Sequence, residues 1–85
     1  MSRITIEDVK AALAAASMPG NQDELDRCST ALREHPIQSM YKPSLEDFSE
    51  WVVDSICPTP DECEVEPDGT CEHGYPSWML LAGII

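Results

Sequence analysis

A Pro-Asp-Gly turn at residues 67–69, with alternating residues on both sides, constrains the fold of this chain more than any other feature. Pro67 fixes the backbone for a type I turn, and Gly69 accepts the left-handed conformation that follows such a turn. The turn therefore predicts a short β-hairpin. Counting outward gives a register that pairs Glu66 with Thr70, Val65 with Cys71, and Cys63 with His73.

The two predicted strands alternate acidic residues with sulfur, imidazole or apolar groups. Because successive side chains of a strand point to opposite faces, one face of the hairpin carries Cys63, Cys71 and His73. In this register the cysteines are diagonal neighbours, with α-carbons about 7–8 Å apart, at or beyond the disulfide limit. The three donors can instead converge on a tetrahedral zinc ion. Buried free thiols beside a hydrogen-bonded histidine, and a disulfide, stay open as alternatives.

A closed structural zinc site needs a fourth ligand. Cys57 is the cysteine nearest in sequence, and the rigid segment Cys-Pro-Thr-Pro could fold its thiol over the hairpin. Cys28, His35 and Asp61 are less favoured candidates. The sequence therefore predicts a structural zinc cofactor with the ligands Cys57, Cys63, Cys71 and His73.

Three segments with helical periodicity precede the hairpin. The first begins at Thr5 and stops at Pro19-Gly20, the second runs from Asn21 to His35-Pro36, and the third begins at Ser44. Their apolar stripes are Ile6, Val9, Leu13 and Ala16; Leu25, Cys28 and Leu32; and Leu45, Phe48, Val52 and Ile56. We predict a mainly α single domain over 1–85, with a small three-helix bundle in 1–56 and a hairpin with an apolar tail in 57–85.

The apolar tail follows the hairpin. Pro76 suits the start of a short helix that ends at Gly83, although an extended segment fits equally well. The apolar side chains of residues 78–85 are too many to leave in water, so we expect them to complete the core. Docking of the tail to a partner is the alternative.

Negative charge is concentrated in the second half of the chain. Residues 1–42 carry five basic and six acidic residues, whereas residues 43–85 carry ten acidic residues and no Lys or Arg, within a net charge of −11. Such a surface repels phosphate backbones, which disfavours direct nucleic-acid binding and favours a solvated surface or a basic protein partner. No secretory signal or membrane span is evident, so we expect a cytoplasmic protein whose thiols stay reduced.

The last quarter of the chain resembles the C-terminal tail of a group of small bacterial proteins. The shared elements are Glu-Pro-Asp-Gly, Cys-x-His-Gly, Pro-Ser-Trp and an aliphatic terminus, here residues 66–69, 71–74, 76–78 and Ile85. The group has no assigned activity, so the resemblance implies no function. It does imply that the turn, the Cys/His pair and the apolar tail form one structural unit.

We therefore expect a small, acidic, non-enzymatic binding or regulatory module stabilised by zinc. A domain of this size offers little room for a substrate cleft, and a metal-bound thiolate is not free to react. One alternative is an acidic nucleic-acid mimic, whose uncompensated carboxylates would inhibit a basic nucleic-acid-binding protein. A second is a thiol redox switch that uses Cys63 and Cys71.

Overall fold

The computed structural model describes residues 3–85, so residues 1 and 2 of the predicted domain lie outside the described range. It contains four helices and two short strands: α1 Ile6–Ala15, α2 Gln22–Glu34, α3 Leu45–Asp54, β1 Cys57–Pro58, β2 Glu64–Val65 and α4 Trp78–Ala82. The predicted mainly helical class with a two-stranded antiparallel hairpin is confirmed at this level. None of the helices described over residues 3–85 has the length and apolar character that a bilayer span requires.

Capping residues set the starts of the first three helices. The Asp8 carboxylate accepts from the Thr5 backbone N–H at 2.8 Å, and Asp47 accepts from the Ser44 N–H at 2.8 Å. The side chain of Asn21 caps α2 in the same region of the first turn. Because the first N–H groups of a helix have no intrahelical acceptor, these polar residues determine where each helix begins.

The hydrophobic core is formed mainly by α1, α2 and α4, with α2 packed against both of the others. Its buried members include Val9, Ala12 and Leu13 of α1, Leu25, Cys28, Ala31 and Leu32 of α2, and Trp78, Met79, Leu81 and Ala82 of α4. The prediction that the apolar tail fills the core is confirmed for α4 but is wrong for Ile84 and Ile85, which are 41 and 54% exposed because the chain leaves the core after Gly83. The buried thiol predicted for Cys28 is also confirmed.

The backbone of the α1–α2 linker forms hydrogen bonds with the C-terminal end of α4. The backbone N–H groups of Gly20 and Asn21 donate to the carbonyls of Ala82 and Leu81 at 2.8 and 2.9 Å. Gly83 ends the helix with φ 78°, a left-handed conformation that glycine adopts without steric cost. The first and last parts of the described chain are therefore joined by backbone hydrogen bonds.

Replacing Gly83 with alanine is expected to lower the free energy of unfolding by about 1–3 kcal/mol. A Cβ at this position would lie 2.9 Å from the Gly20 carbonyl oxygen, so backbone atoms must separate in addition to the strain of positive φ. Gly74→Ala is the matched control, because Gly74 also has positive φ but its nearest neighbour would lie at 3.8 Å. Equal losses of unfolding free energy for Gly83→Ala and Gly74→Ala in urea denaturation would contradict the close approach of Gly83 to the Gly20 carbonyl.

Helix α3 packs against the rest of the protein through a narrow part of its surface. Phe48 is buried, and its ring meets the half-buried Trp51 ring edge-on with centroids 5.1 Å apart. The other members of the predicted stripe, Leu45, Val52 and Ile56, are 58, 62 and 49% exposed. A three-helix bundle in which α3 is a full member therefore stays a prediction.

The hairpin forms with a partner strand that differs from the predicted one. β2 pairs with β1, so that Cys57 lies opposite Val65, and the predicted pairing of 63–66 with 70–73 is wrong. The turn at 67–69 does form, closed by the Gly69 N–H and the Glu66 carbonyl at 2.7 Å, but the left-handed conformation predicted for Gly69 is wrong, since its φ is not positive. Beyond that turn, residue 70 bridges to residue 76 instead of to β2.

Burial of aromatic side chains explains the different pairing. A second turn at 71–74, closed by the Gly74 N–H and the Cys71 carbonyl at 2.9 Å, reverses the chain again. This reversal delivers Tyr75 and Trp78 to fully buried positions. Burying a large apolar side chain contributes about 1.5–3 kcal/mol, whereas a backbone hydrogen bond contributes about 0.5–1.5 kcal/mol net. Core burial therefore outweighs extension of the hairpin.

Candidate metal site

The loop of residues 59–63, between the two strands, positions Asp61 and Cys63. The Thr59 N–H donates to the Cys63 carbonyl at 2.7 Å, and the Thr59 hydroxyl accepts from the Cys63 N–H at 3.0 Å. Glu62 takes φ 67°, which tightens the loop. As a result the Cys63 Sγ lies 3.6 Å from an Asp61 carboxylate oxygen.

The turn of residues 71–74 positions Cys71 and His73. The Cys71 N–H donates to the Tyr75 carbonyl at 2.9 Å, and the Cys71 Sγ lies 3.8 Å from His73 Nδ1. The Tyr75 hydroxyl donates to the His35 carbonyl at 2.5 Å, which fixes the turn against the end of α2. The turn is thus held by a helix on one side and by the core on the other.

The loop and the turn bring four donor groups together. One ligand atom from each of Asp61, Cys63, Cys71 and His73 lies within 4.8 Å of all the others. Asp61 and Cys71 are largely shielded from solvent, whereas about 40% of the His73 side chain is exposed. One carboxylate, two thiols and one imidazole in this arrangement could hold a metal ion.

Asp61 is the common partner of the group. Its side chain is only 7% exposed, and it lies 2.9 Å from His73 Nδ1 and 3.4 Å from the Cys71 Sγ. The Thr59 hydroxyl also donates to it. A shielded carboxylate is costly to leave unpaired, so hydrogen-bond donors or a cation must surround it.

The Cys63 thiol is held in its protonated form in the absence of a cation. Burial, the charge of Asp61 and the neighbouring Cys71 together raise the pKa of Cys63 from 9.0 to about 11. A protonated thiol donates to the carboxylate, whereas a metal ion binds the thiolate and takes the place of its proton. The metal-bound site therefore carries fewer protons than the metal-free site.

The remaining predicted ligand, Cys57, lies outside this group. It is fully buried, its thiol donates to the Pro58 carbonyl at 3.4 Å, and burial raises its pKa. The His35 ring lies edge-on to the His73 ring with centroids 5.4 Å apart but supplies no donor atom to the group. The four cysteines, all within the described residues, are free thiols.

Asp61 is the member of the group that sequence reasoning placed among the weaker candidates. A local signal for it exists, since Asp61 and Cys63 flank one glutamate in the same way that Cys71 and His73 flank another. Each donor-Glu-donor triplet occupies a tight reversal that directs its outer side chains to one side. Two such triplets facing each other supply four ligands without a contribution from Cys57.

Comparison with known proteins leaves the family of the chain open. No protein-family model, no curated protein and no solved structure matches it. The resemblance of the last quarter of the chain to the tails of small bacterial proteins stays a prediction. Function must therefore be argued from the geometry of the site.

Alkaline pH is expected to destabilise the protein through Cys28, which lies outside the site. Burial, and to a lesser extent the charge of Asp61, raises the pKa of this thiol from 9.0 to about 12. Between these values the unfolded thiol is ionised and the native thiol is neutral, so the free energy of unfolding falls as pH rises. Denaturation curves from pH 8 to 11 should show this fall, and Cys28→Ala should make it less steep without removing it, because the pKa values of Cys57, Cys63 and Tyr75 are also raised. An unchanged slope would contradict the assignment.

Proposed function

We propose that the protein is a small, non-enzymatic binding or regulatory module whose C-terminal part is cross-linked by a structural zinc ion. The proposed ligands are Asp61, Cys63, Cys71 and His73, with Asp61 in the role that the sequence predicted for Cys57. The observation that supports the proposal is the convergence of these four donor atoms within 4.8 Å.

The spacing of the donors suits a tetrahedral ion. Zinc bonds of about 2.3 Å to sulfur and about 2.0–2.1 Å to nitrogen or oxygen separate neighbouring ligand atoms by about 3.4–3.8 Å. The two sulfurs lie 3.7 and 3.8 Å from His73 Nδ1, and 3.6 and 3.4 Å from the Asp61 oxygens. The direct Asp61–His73 contact of 2.9 Å is shorter, so binding requires this contact to open by about 0.5 Å.

The chemistry of the donors favours zinc and a structural role. Thiolate and imidazole ligands suit zinc, whereas calcium and magnesium take oxygen ligands. Four protein ligands complete a tetrahedron and leave no position for a substrate or a reactive water. His73 Nδ1 lies 2.9 Å from an Asp61 carboxylate oxygen, a contact that requires a proton on Nδ1 in the metal-free site, and zinc would take the place of this proton.

The ion would tie the loop of residues 59–63 to the turn of residues 71–74. A chain of 85 residues has a small core and gains little net stability from apolar burial alone. Because a preformed site does not exist in the unfolded chain, the free energy of zinc binding becomes free energy of folding. The expected cytoplasmic compartment would keep both thiols reduced for this purpose.

Elemental analysis of the purified protein combined with a thiol count tests the proposal. We expect one zinc ion per chain and four titratable thiols after denaturation with a chelator. Zinc added to metal-free protein should release protons, since the thiols must ionise to bind it. Failure of the metal-free chain to take up zinc from a buffered zinc solution would overturn the proposal.

The two sulfurs also favour a second role, a thiol redox switch. Cys63 and Cys71 belong to one group of donors whose atoms lie within 4.8 Å, so their sulfurs must approach by at most about 2.8 Å to form a disulfide bond. The raised pKa of Cys63 opposes this role, because only the thiolate attacks a disulfide. Each thiol would lose one proton and one electron to a disulfide oxidant such as oxidised glutathione, which is reduced to two thiols. The thiol count should fall by two after this treatment and recover with a dithiol. An unchanged count contradicts the switch.

A further inference from the structure

Exposed apolar side chains are concentrated on and around α3. Among residues 3–85, seven large hydrophobic side chains are exposed, and five of them lie between residues 41 and 56. Leu45, Val52 and Val53, here called the α3 face, are 58, 62 and 80% exposed. Single exposed apolar residues are ordinary, but such a concentration on one element is typical of an interaction surface.

A row of carboxylates borders the α3 face. With 3.6 residues per turn, the three members of the α3 face fall within a sector about 100° wide. The sector on one side carries Glu46, Glu50 and Asp54, and the buried Phe48 lies on the other side of the α3 face, about 160° from the middle of this acidic sector. The helix therefore presents an apolar stripe beside an acidic stripe, and no Lys or Arg follows Lys42 to neutralise it.

An open groove continues this surface toward the strands. Its volume is about 490 Å³, and its lining residues are Trp51, Asp54, Ile56, Pro58 and Glu64. Trp51 and Ile56 offer apolar area, whereas Asp54 and Glu64 offer negative charge. A lysine or arginine side chain fits this combination, because its aliphatic stem packs on apolar groups while its cationic end pairs with carboxylates.

We propose that the α3 face and this groove form the docking surface for a basic amphipathic helix of a partner protein. The apolar stripe of the partner would cover Leu45, Val52 and Val53, and its Lys or Arg residues would lie along the acidic row. One cationic side chain of the partner would enter the groove between Asp54 and Glu64. The proposal rests on the proposed role as a binding module and is independent of the metal.

Charge complementarity favours a basic helix over a second copy of the chain, nucleic acid or an anionic lipid surface. A second copy of the chain would place one acidic row near an identical one across a two-fold interface, which is repulsive. Nucleic acid and anionic lipid surfaces are repelled by the same carboxylates. A basic helix satisfies the apolar and the charged parts of the surface together.

Fluorescence anisotropy with a labelled peptide of about 14 residues, built from leucine and lysine at amphipathic spacing, tests the proposal. The wild-type protein should bind this peptide, and its twin with every lysine replaced by glutamate should not bind. Raising the salt from about 50 to about 300 mM should weaken binding about tenfold, since surface charges are screened.

Two pairs of matched variants locate the binding. Val52→Ser with Val53→Ser should weaken binding at least about tenfold, whereas Ile84→Ser with Ile85→Ser, also at exposed positions, should change it less than about twofold. Replacing Glu46, Glu50 and Asp54 with their amides should weaken binding about tenfold. The same change at the exposed Glu7, Asp23 and Glu34 should weaken it much less.

Any one of three results would overturn the docking proposal. The lysine peptide does not bind, the glutamate twin binds equally well, or sedimentation shows a dimer of the chain that is lost with the serine changes at 52 and 53. Binding that depends on salt but not on Val52 and Val53 would instead support an acidic decoy. The zinc content of every variant, measured in parallel, reports on the metal proposal separately, since none of these substitutions removes a proposed ligand.

Discussion

Replacing Cys71 with alanine is expected to abolish stoichiometric zinc binding and to lower the melting temperature by at least about 15 °C. The variant would remove one of the two proposed thiolate ligands, and the three remaining donors could not close a tetrahedral site. A ligand present at about 1,000 times its dissociation constant contributes about 4 kcal/mol, and in a domain of this size each kcal/mol shifts the melting temperature by about 4–8 °C. Thermal denaturation and elemental analysis of the variant measure both effects.

Cys57→Ala is the matched control for this prediction. Both cysteines are buried, and both substitutions remove one sulfur atom. Cys57 lies outside the group of four donors, so its variant should lose some packing energy but keep one zinc ion per chain. Loss of zinc in both variants, or a wild-type melting temperature that a chelator leaves unchanged, would contradict the proposed ligand set.

Replacing Trp78 with alanine is expected to lower the free energy of unfolding by about 3–5 kcal/mol. Trp78 is fully buried at the start of α4 and is the largest of the fully buried side chains. Its removal leaves a cavity, because the surrounding structure relaxes only in part. In a domain with marginal stability, a loss of this size leaves a substantial unfolded population at room temperature, which urea denaturation and circular dichroism would reveal.

Two further tryptophan variants separate packing from polarity. Trp51→Ala removes a half-buried ring and should cost far less than Trp78→Ala. Trp78→Phe retains most of the apolar volume and removes the indole N–H, which is buried without a hydrogen-bond acceptor among the described residues. Because an unsatisfied donor costs about 1–3 kcal/mol, this variant should lose less than about 2 kcal/mol. Equal losses at the two tryptophans would contradict the core position of Trp78.

Features encoded by neighbouring residues were predictable from the sequence. The starts of α1, α2 and α3 follow from Thr5, Asn21 and Ser44, because a capping side chain acts within one turn. The turn at 67–69 follows from Pro67 in the same way, although Gly69 does not take the left-handed conformation that the sequence predicts. Such signals depend on local sterics and hydrogen bonding, which the order of residues specifies directly.

Features that depend on distant partners were not predictable in this way. The alternation of residues around the turn was consistent with a hairpin, but the strand that pairs with β2 is β1, on the other side in sequence. The outcome depends on whether Tyr75 and Trp78 reach the core, which the local pattern does not encode. The apolar stripe of α3 likewise indicates a helix face without indicating whether another element covers it.

The candidate site combines both kinds of feature. The structure brings Cys63, Cys71 and His73 together as the sequence suggested, although two separate reversals achieve this instead of one hairpin face. Asp61 was difficult to recognise because it is one of ten acidic residues in the second half of the chain. Its low exposure, which distinguishes it from solvated carboxylates, becomes visible only in three dimensions.

X-ray absorption at the zinc edge of the purified protein counts the sulfur ligands of the proposed site directly, without a substitution. We predict two sulfur atoms at about 2.3 Å and two nitrogen or oxygen atoms at about 2.0–2.1 Å. Three sulfur atoms would assign a third cysteine, Cys57 or Cys28, as a ligand and would contradict the role of Asp61. A shell made only of oxygen or nitrogen atoms would contradict the thiolate site altogether.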